Sequence, residues 1–361
     1  MLLLFMLPAA VFAIEQEQLF DSTRANARGR TGIAAYDSDE GSRLNPATLK
    51  ESGITYQLRP YQFDAFVGDH VVASVGELLD VFSKSDVDGK ELLKTFRDKV
   101  GKRQWVKLQA GFLNQRFGAH EFSPFVLQTG SLVLGDPPSL AWKSDTITGA
   151  SWSSAFMIRP SFYLGLTVRP FYRWYYKGDI EFTDLTQFLS SDVDISTIVP
   201  LRSGFGLGGD IGLIYSHTKE LRLGAVVQNI GDAGYFQDTG NEPPNIKQKI
   251  NLGLLKRFQL SPRFTFDSFV DYLDLMNRDG INLLRHLNLG GELGTKVYAR
   301  DRDNDFGLVT GLQEGYLCYG LFLDLFFVRF DFAKYAVELG DEPGQIPEKI
   351  WTLSMRSTLT F

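Results

Sequence analysis

Between Phe162 and Tyr176 the side chains alternate in kind with a period of two. Phe162, Leu164, Leu166, Val168, Pro170, Tyr172, Trp174 and Tyr176 form one series, and Tyr163, Gly165, Thr167, Arg169, Phe171, Arg173 and Tyr175 the other. The first is wholly apolar or aromatic; the second carries the polar, small and charged residues. Successive residues of a strand point to opposite faces, so this is a strand with one apolar and one polar side. At roughly fifteen residues it exceeds most strands of water-soluble proteins. Its aromatic residues crowd the far end, as they do where a strand meets a membrane interface.

The same period recurs from Ile54 to the last residue. Trp351, Leu353, Met355, Leu359 and Phe361 alternate with Thr352, Ser354, Arg356, Thr358 and Thr360. The pattern predicts about fourteen strands, near 54–66, 104–115, 118–128, 147–159, 162–176, 204–217, 221–231, 247–259, 263–273, 286–298, 305–313, 316–326, 327–338 and 350–361. The connections alternate as well. Pro160-Ser161, Thr218 to Glu220 and Leu260 to Arg263 are short, whereas 67–103, 129–146, 177–203, 232–246, 274–285 and 339–349 are long. Short turns at one end and long loops at the other are the pattern of an all-β transmembrane antiparallel β-barrel. Glu314-Gly315 breaks the alternation. Helical period appears at Val75 to Phe82 and Lys90 to Val100, which predicts a helical insertion near 75–100 after strand 1.

Composition narrows the function classes. The mean hydropathy is −0.10, and past the first fourteen residues no run of roughly 20 apolar residues exists to form a membrane-spanning helix. Phe, Tyr and Trp make up 13% of the chain and Gly numbers 35, which suits a barrel with aromatic belts. A net charge of −6 argues against nucleic acid as a partner. Residues 1–13, MLLLFMLPAAVFA, end in a small-residue pattern and read as a signal peptide cleaved after Ala13, although the usual basic start is missing.

Candidate chemistry is sparse. One cysteine, Cys318, and four scattered histidines offer no metal site, and no nucleophile motif is present, so neither an enzyme nor a cofactor is expected. Gly204 to Asp210 is rich in glycine, but it continues into a strand rather than a helix, which argues for close packing and against a nucleotide loop. On the polar faces Arg169, Arg173, Asp267, Asp271, Glu292 and Lys296 are expected to point into the lumen and pair there.

Three short motifs carry a resemblance to a known family. Gly32 to Ala47 leads through small residues into Asn45-Pro46-Ala47 and resembles the N-terminal segment of the FadL superfamily. Gly208 to Gly231, GGDIGLIYSHTKELRLGAVVQNIG, looks like the central hairpin of its PorV-like branch. Phe330 to Gly344 is similar to that branch's segment before the last strand. The charged run Asp37 to Arg43 and the helical insertion depart from the pattern. The resemblance implies a barrel over 53–361 with residues 14–52 as an N-terminal plug or hatch, in which Asn45, Pro46 and Ala47 form the gate. It further implies an outer-membrane location and passive uptake of hydrophobic molecules, or else a non-transporting adaptor for secretion or surface attachment. Expected partners are membrane lipid, the barrel-assembly machinery (for which terminal Phe361 resembles the recognition signal), and a hydrophobic ligand or a secretion-system component. An apolar pocket beside Asn45-Pro46-Ala47 would favour uptake; a lumen sealed by polar networks would favour the adaptor.

Overall fold

The computed structural model describes residues 19–36, 42–50, 56–73, 101–135, 139–181, 201–236, 241–278, 280–296, 305–340 and 342–361. The expected signal peptide and helical insertion lie outside the described residues.

Fourteen long strands form one closed antiparallel sheet. In chain order they are β1 (Tyr56–Gly68), β2 (Arg103–Phe117), β3 (His120–Gly135), β4 (Ser139–Arg159), β5 (Phe162–Glu181), β6 (Arg202–Ser216) and β7 (Leu221–Gln228). There follow β8 (Lys249–Gln259), β9 (Phe264–Tyr272), β10 (Leu287–Thr295), β11 (Phe306–Gln313), β12 (Tyr316–Leu325), β13 (Val328–Glu338) and β14 (Pro347–Ser357). Each strand pairs with its sequence neighbours, and β14 returns to β1 from Gln62↔Arg356 to Gly68↔Ile350, so no edge is left. Closure is what allows a sheet to sit in lipid, because every spanning N–H and C=O finds a partner.

The faces sort as the alternation predicts, but with the polarity of a soluble protein inverted. On β5 Leu166, Val168 and Trp174 are exposed on the outside, while Thr167, Arg169, Phe171 and Arg173 are buried inside. The largest fully buried side chains include six arginines: Arg28, Arg59, Arg116, Arg222, Arg285 and Arg356. A soluble core rarely buries even one unpaired arginine. The arrangement is stable only if lipid takes the outer face and the lumen supplies counter-charges.

Two expected loops are shorter than read, and one turn breaks the short–long alternation as the sequence indicated. The predicted loop 129–146 is largely strand, since β3 runs to Gly135, β4 starts at Ser139 and β5 extends to Glu181. The two-residue turn Glu314-Gly315, with φ of 50° and 89°, stands at the loop end of the barrel. Positive φ at both central residues is the hairpin turn that matches strand twist. The turn needs no length of its own, because its neighbours roof it. Glu338 N–H donates to Glu314 Oε2 at 2.6 Å, and Arg285 donates to the carbonyls of Glu338 and Gly340 at 2.9 and 2.8 Å.

The seam is finished by Leu359–Thr360, which pairs with Gln57 and Leu58. Phe361 lies on the outer face, its N–H donating to the Tyr56 carbonyl at 3.0 Å and its ring 5.6 Å from the Tyr56 ring. Deleting Phe361 removes both seam contacts. The expected result is a several-fold lower yield of heat-modifiable folded barrel; an unchanged yield would make the residue dispensable.

Candidate ligand-binding lumen

Residues 19–36 and 42–50 lie inside the barrel and wind along its inner wall, one strand after another. Thr23 shares a hydrogen bond with Thr352 of β14 at 2.7 Å. Ala27 rests on Gly320 of β12, Arg28 and Gly29 on Gly311 of β11 and Gly290 of β10, Ile33 and Ala34 on Gly253 of β8 and Gly224 of β7. Asn45 to Ala47 rest on Gly212 of β6 and Gly165 of β5. At each of these seven glycines a Cβ would fall within 3.0 Å of the inner segment or of a neighbouring strand. The glycines are therefore seats: they remove the side chain that would hold one backbone away from the other. Gly165 and Gly212 face each other across β5 and β6, as do Gly224 and Gly253, and Gly290 and Gly311.

Asn45, fully buried, ties the segment at its centre. Its Nδ2 donates to the carbonyls of Ile33 at 3.0 Å and Leu213 at 3.1 Å, while its Oδ1 accepts from the Ala47 N–H at 3.1 Å. Pro46 opens a short 3-10 turn, Pro46–Lys50, that leads to β1. A small cavity reaches Leu44, next to Asn45, but is not lined by these three residues.

Charges complete the seating. Glu292 receives Arg24 through two hydrogen bonds, one of them Nε at 2.8 Å, and Arg28 at 3.3 Å. Asp271 accepts the backbone N–H groups of Gly32 and Ile33 at 2.7 and 2.9 Å. Tyr36 is held between the guanidinium groups of Arg222 and Arg257, 4.2 and 4.1 Å from its ring, and donates to the Lys219 carbonyl. Arg257 in turn pairs with Asp267 at 2.7 Å. Arg169 pairs with Asp210 at 2.5 Å and Arg173 with Asp145 at 2.6 Å. Lys296 falls just past the end of β10 in the same phase as Glu292 and, although exposed, lines a cavity at the turn end together with Arg257 and Thr265. Beyond the strands, Asp232 in the connection after β7 accepts the Gln248 N–H at 2.7 Å and Arg278, which hold its carboxyl below the usual range.

Towards the loop end the lumen changes character. Phe20, Phe125, Leu127, Ile147 and Phe171 form one buried apolar cluster on the wall of β3 to β5, and Phe66, Trp105, Tyr335, Val337 and Ile350 form another across the lumen. Between them lies a cavity of about 70 Å³, lined by residues of both. Phe20 lies in sequence between the lining residues Leu19 and Asp21, with its ring edge-on to Phe125 at 4.9 Å and flanked by Arg169 and Arg43. Phe20 itself lines a smaller cavity of about 10 Å³ together with Arg43, Leu44 and Gln62.

The wall close to that smaller cavity is irregular. β2 holds one residue more than β3 between Gly111 and Gln115, and Leu113 takes φ of 51° with its side chain exposed. Pro60 of β1 sits between the pairs Arg59↔Asn114 and Tyr61↔Phe112, and Pro124 lies in β3. Neither proline has an N–H to donate, so the ladder is thinned here. Asn114, buried at the bulge, has no hydrogen-bond partner among the described residues.

Sequence reasoning named Asn45 to Ala47 and several lumen charges, but it missed the glycine row, Phe20 and the arginines that Glu292 receives. The glycines were detectable in principle, since all seven fall on the inward phase of their strands. The same phase explains Gly204 and Gly206, which make room for the rings of Tyr235 and Phe171 rather than for a nucleotide.

No family model matches the sequence, and no curated protein does. Solved structures do resemble it. The TodX monoaromatic hydrocarbon channel, in a deltaS2 mutant, aligns with a TM-score of 0.60 at 12% identity over 94% of this chain and 99% of that one. The CymD monoaromatic hydrocarbon channel gives 0.53 at 12% identity, covering 94% and 97%. A Pseudomonas aeruginosa FadL homologue gives 0.51 at 11% identity, covering 94% and 98%. The fold is that of the FadL-type outer-membrane channels.

Proposed function

We propose that the chain is an outer-membrane channel for passive uptake of small hydrophobic molecules, with its inner segment as the hatch. The observation that carries this reading is the cavity at the loop end, where Leu127, Ile147, Trp105, Tyr335 and Val337 of the two apolar clusters line a space they share with charged side chains. Such a site gathers apolar solutes from water. The likeness in fold to hydrocarbon channels supports the same reading. Phe20 is the partition between this cavity and the smaller one beside the irregular wall of β2. Cells displaying the barrel should take up N-phenylnaphthylamine several-fold faster than cells without it, and Phe20→Ala should raise the rate further. Equal rates in all three strains would sink the channel reading.

A second reading, a PorV-like non-transporting adaptor, is favoured by one observation. The inner segment is seated on the wall through Asn45 and the glycine row, and the middle of the lumen holds paired charges. On that reading native purification recovers a secretion or attachment component with the barrel, and dye uptake stays at background.

A further inference from the structure

On the outer face of β3 to β5 the chemistry changes part-way up the wall. Phe162 stacks on Tyr215 at the turn end, and Tyr172 stands ten residues further along β5. At about 3.3 Å per residue and a tilt of roughly 35–45°, that separation is roughly 25 Å of height, the whole apolar band of such a barrel. The strand nevertheless continues, and Gly178 pairs with Trp142 of β4 roughly 15 Å above Tyr172. These three strands therefore carry an outward surface that stands clear of the acyl chains.

Above Tyr172 the outward residues are Gln128, Thr146 and Trp174 in one cross-strand row and Gly130, Ser144 and Tyr176 in the next, with Trp142 beyond them. None is charged; Lys143, Asp145 and Arg173 of the same strands all take the opposite phase. Gln128 donates to Ser144 Oγ at 3.1 Å and accepts from Thr146, so the three side chains fix one another. Ser144 keeps its own proton to give, and Gln128 a second N–H. The Trp142 and Tyr176 rings lie parallel, 5° between planes and 6.2 Å apart. Nothing lies within 4 Å of a Cβ at Gly130, which leaves a step beside Ser144 and the rings.

Aromatic rings beside fixed amide and hydroxyl groups suit one class of partner. A pyranose has a face of C–H groups that packs on an aromatic ring, and hydroxyls around its edge that pair with amides and hydroxyls. Anionic headgroups attract Lys and Arg, and this face offers neither. Acyl chains would leave the spare N–H and O–H without partners. The wall below is continuous with lipid, so the material at this height is what the outer-leaflet lipids carry above their chains. We infer that this face of β3 to β5 docks the neutral sugars of an outer-leaflet glycolipid. Trp142 and Tyr176 stack on the sugar rings, and Gln128 and Ser144 pair with their hydroxyls. From Tyr172 to Gly178 the surface is about 20 Å long, and three strands make it about 10 Å wide, room for a short run of sugar rings. The inference rests on the outer-membrane placement and is independent of the channel reading.

The test is equilibrium binding of two lipopolysaccharides to the purified barrel in mild detergent. One has a core ending in neutral hexoses, and the other is truncated before the first hexose. The hexose-bearing form should bind about tenfold more tightly or better. Trp142→Ala with Tyr176→Ala should shrink that preference to less than about threefold while heat-modifiable folding is retained. Trp152→Ala, exposed near the turn end of β4, should leave it intact. Free maltotriose, the same sugar chemistry without the lipid, should compete only at about a hundredfold higher concentration. The inference is overturned if the truncated form binds equally, which would give the surface to phosphates, or if neither binds, which would leave it to a protein. It is equally overturned if the double variant keeps the preference, or if maltotriose matches the glycolipid, which would place the glycan in solution.

Discussion

A barrel carrying both Gly212→Leu and Gly311→Leu is expected to conduct ions at least tenfold better than the native protein. At Gly212 the new Cβ would land on Asn45 Oδ1, and at Gly311 on the backbone between Arg28 and Gly29. The Arg28–Gly29 backbone cannot swing aside as the end of a long side chain can. Overpacking costs about 1–3 kcal/mol per site where neighbours adjust, and more where a backbone must leave its place. Two such insertions, on β6 and β11, act on both arms of the inner segment. The strands themselves keep their pairing, so the wall should still close around a lumen that a barrel of this size leaves wide. Gly130→Leu is the control, since nothing lies within 4 Å of a Cβ there. The measurement is single-channel conductance in planar bilayers, with folding verified by heat-modifiability. Native conductance in a folded double mutant would mean that the inner segment is not what closes the lumen.

Glu292→Gln should loosen the same segment from within. The native carboxylate is the counter-ion of two buried arginines, Arg24 and Arg28, whose guanidinium groups also lie over the rings of Phe322 and Phe269 at 4.1 and 4.6 Å. Gln keeps the shape and loses the charge, which removes the carboxylate that both buried arginines share. Breaking a buried pair in this way costs about 3–5 kcal/mol. Amide exchange over residues 22–34 should therefore accelerate by about a hundredfold or more, while exchange in β3 to β5 changes little. Replacing Arg24 and Glu292 together by leucine should be milder than Glu292→Gln, because only Arg28, and not both arginines, then loses that carboxylate. Unchanged protection in Glu292→Gln would show that the ion pairs do not hold the segment.

The strands were legible because lipid and lumen impose opposite chemistry on alternate residues, and a two-residue period is hard to produce otherwise. Where that constraint ends, so does the signal. Thr129, Gly130 and Ser131 of β3, and Lys143, Ser144 and Asp145 of β4, are small or polar on both faces. They read as a loop, although they continue the hairpin beyond the apolar band. The Asn45-Pro46-Ala47 motif was visible, but what it rests on was not. Arg24 and Glu292 are 268 residues apart, and no local pattern announces such a pair. The glycines were in plain view as a composition figure; their common phase acquires meaning only when the inner segment is laid against them.

That row of glycines also sets an order of events in time. A strand interior gains little from glycine, which loses more backbone freedom than any other residue and packs nothing, at roughly 0.5–1 kcal/mol relative to alanine. Seven such positions on β5 to β8 and β10 to β12 leave the wall weak along one continuous line until another backbone covers it. The sheet and its inner segment are then expected to consolidate together, with the segment lying in place before β14 meets β1. Once that seam has closed, the chain has no open side through which to reach its seats.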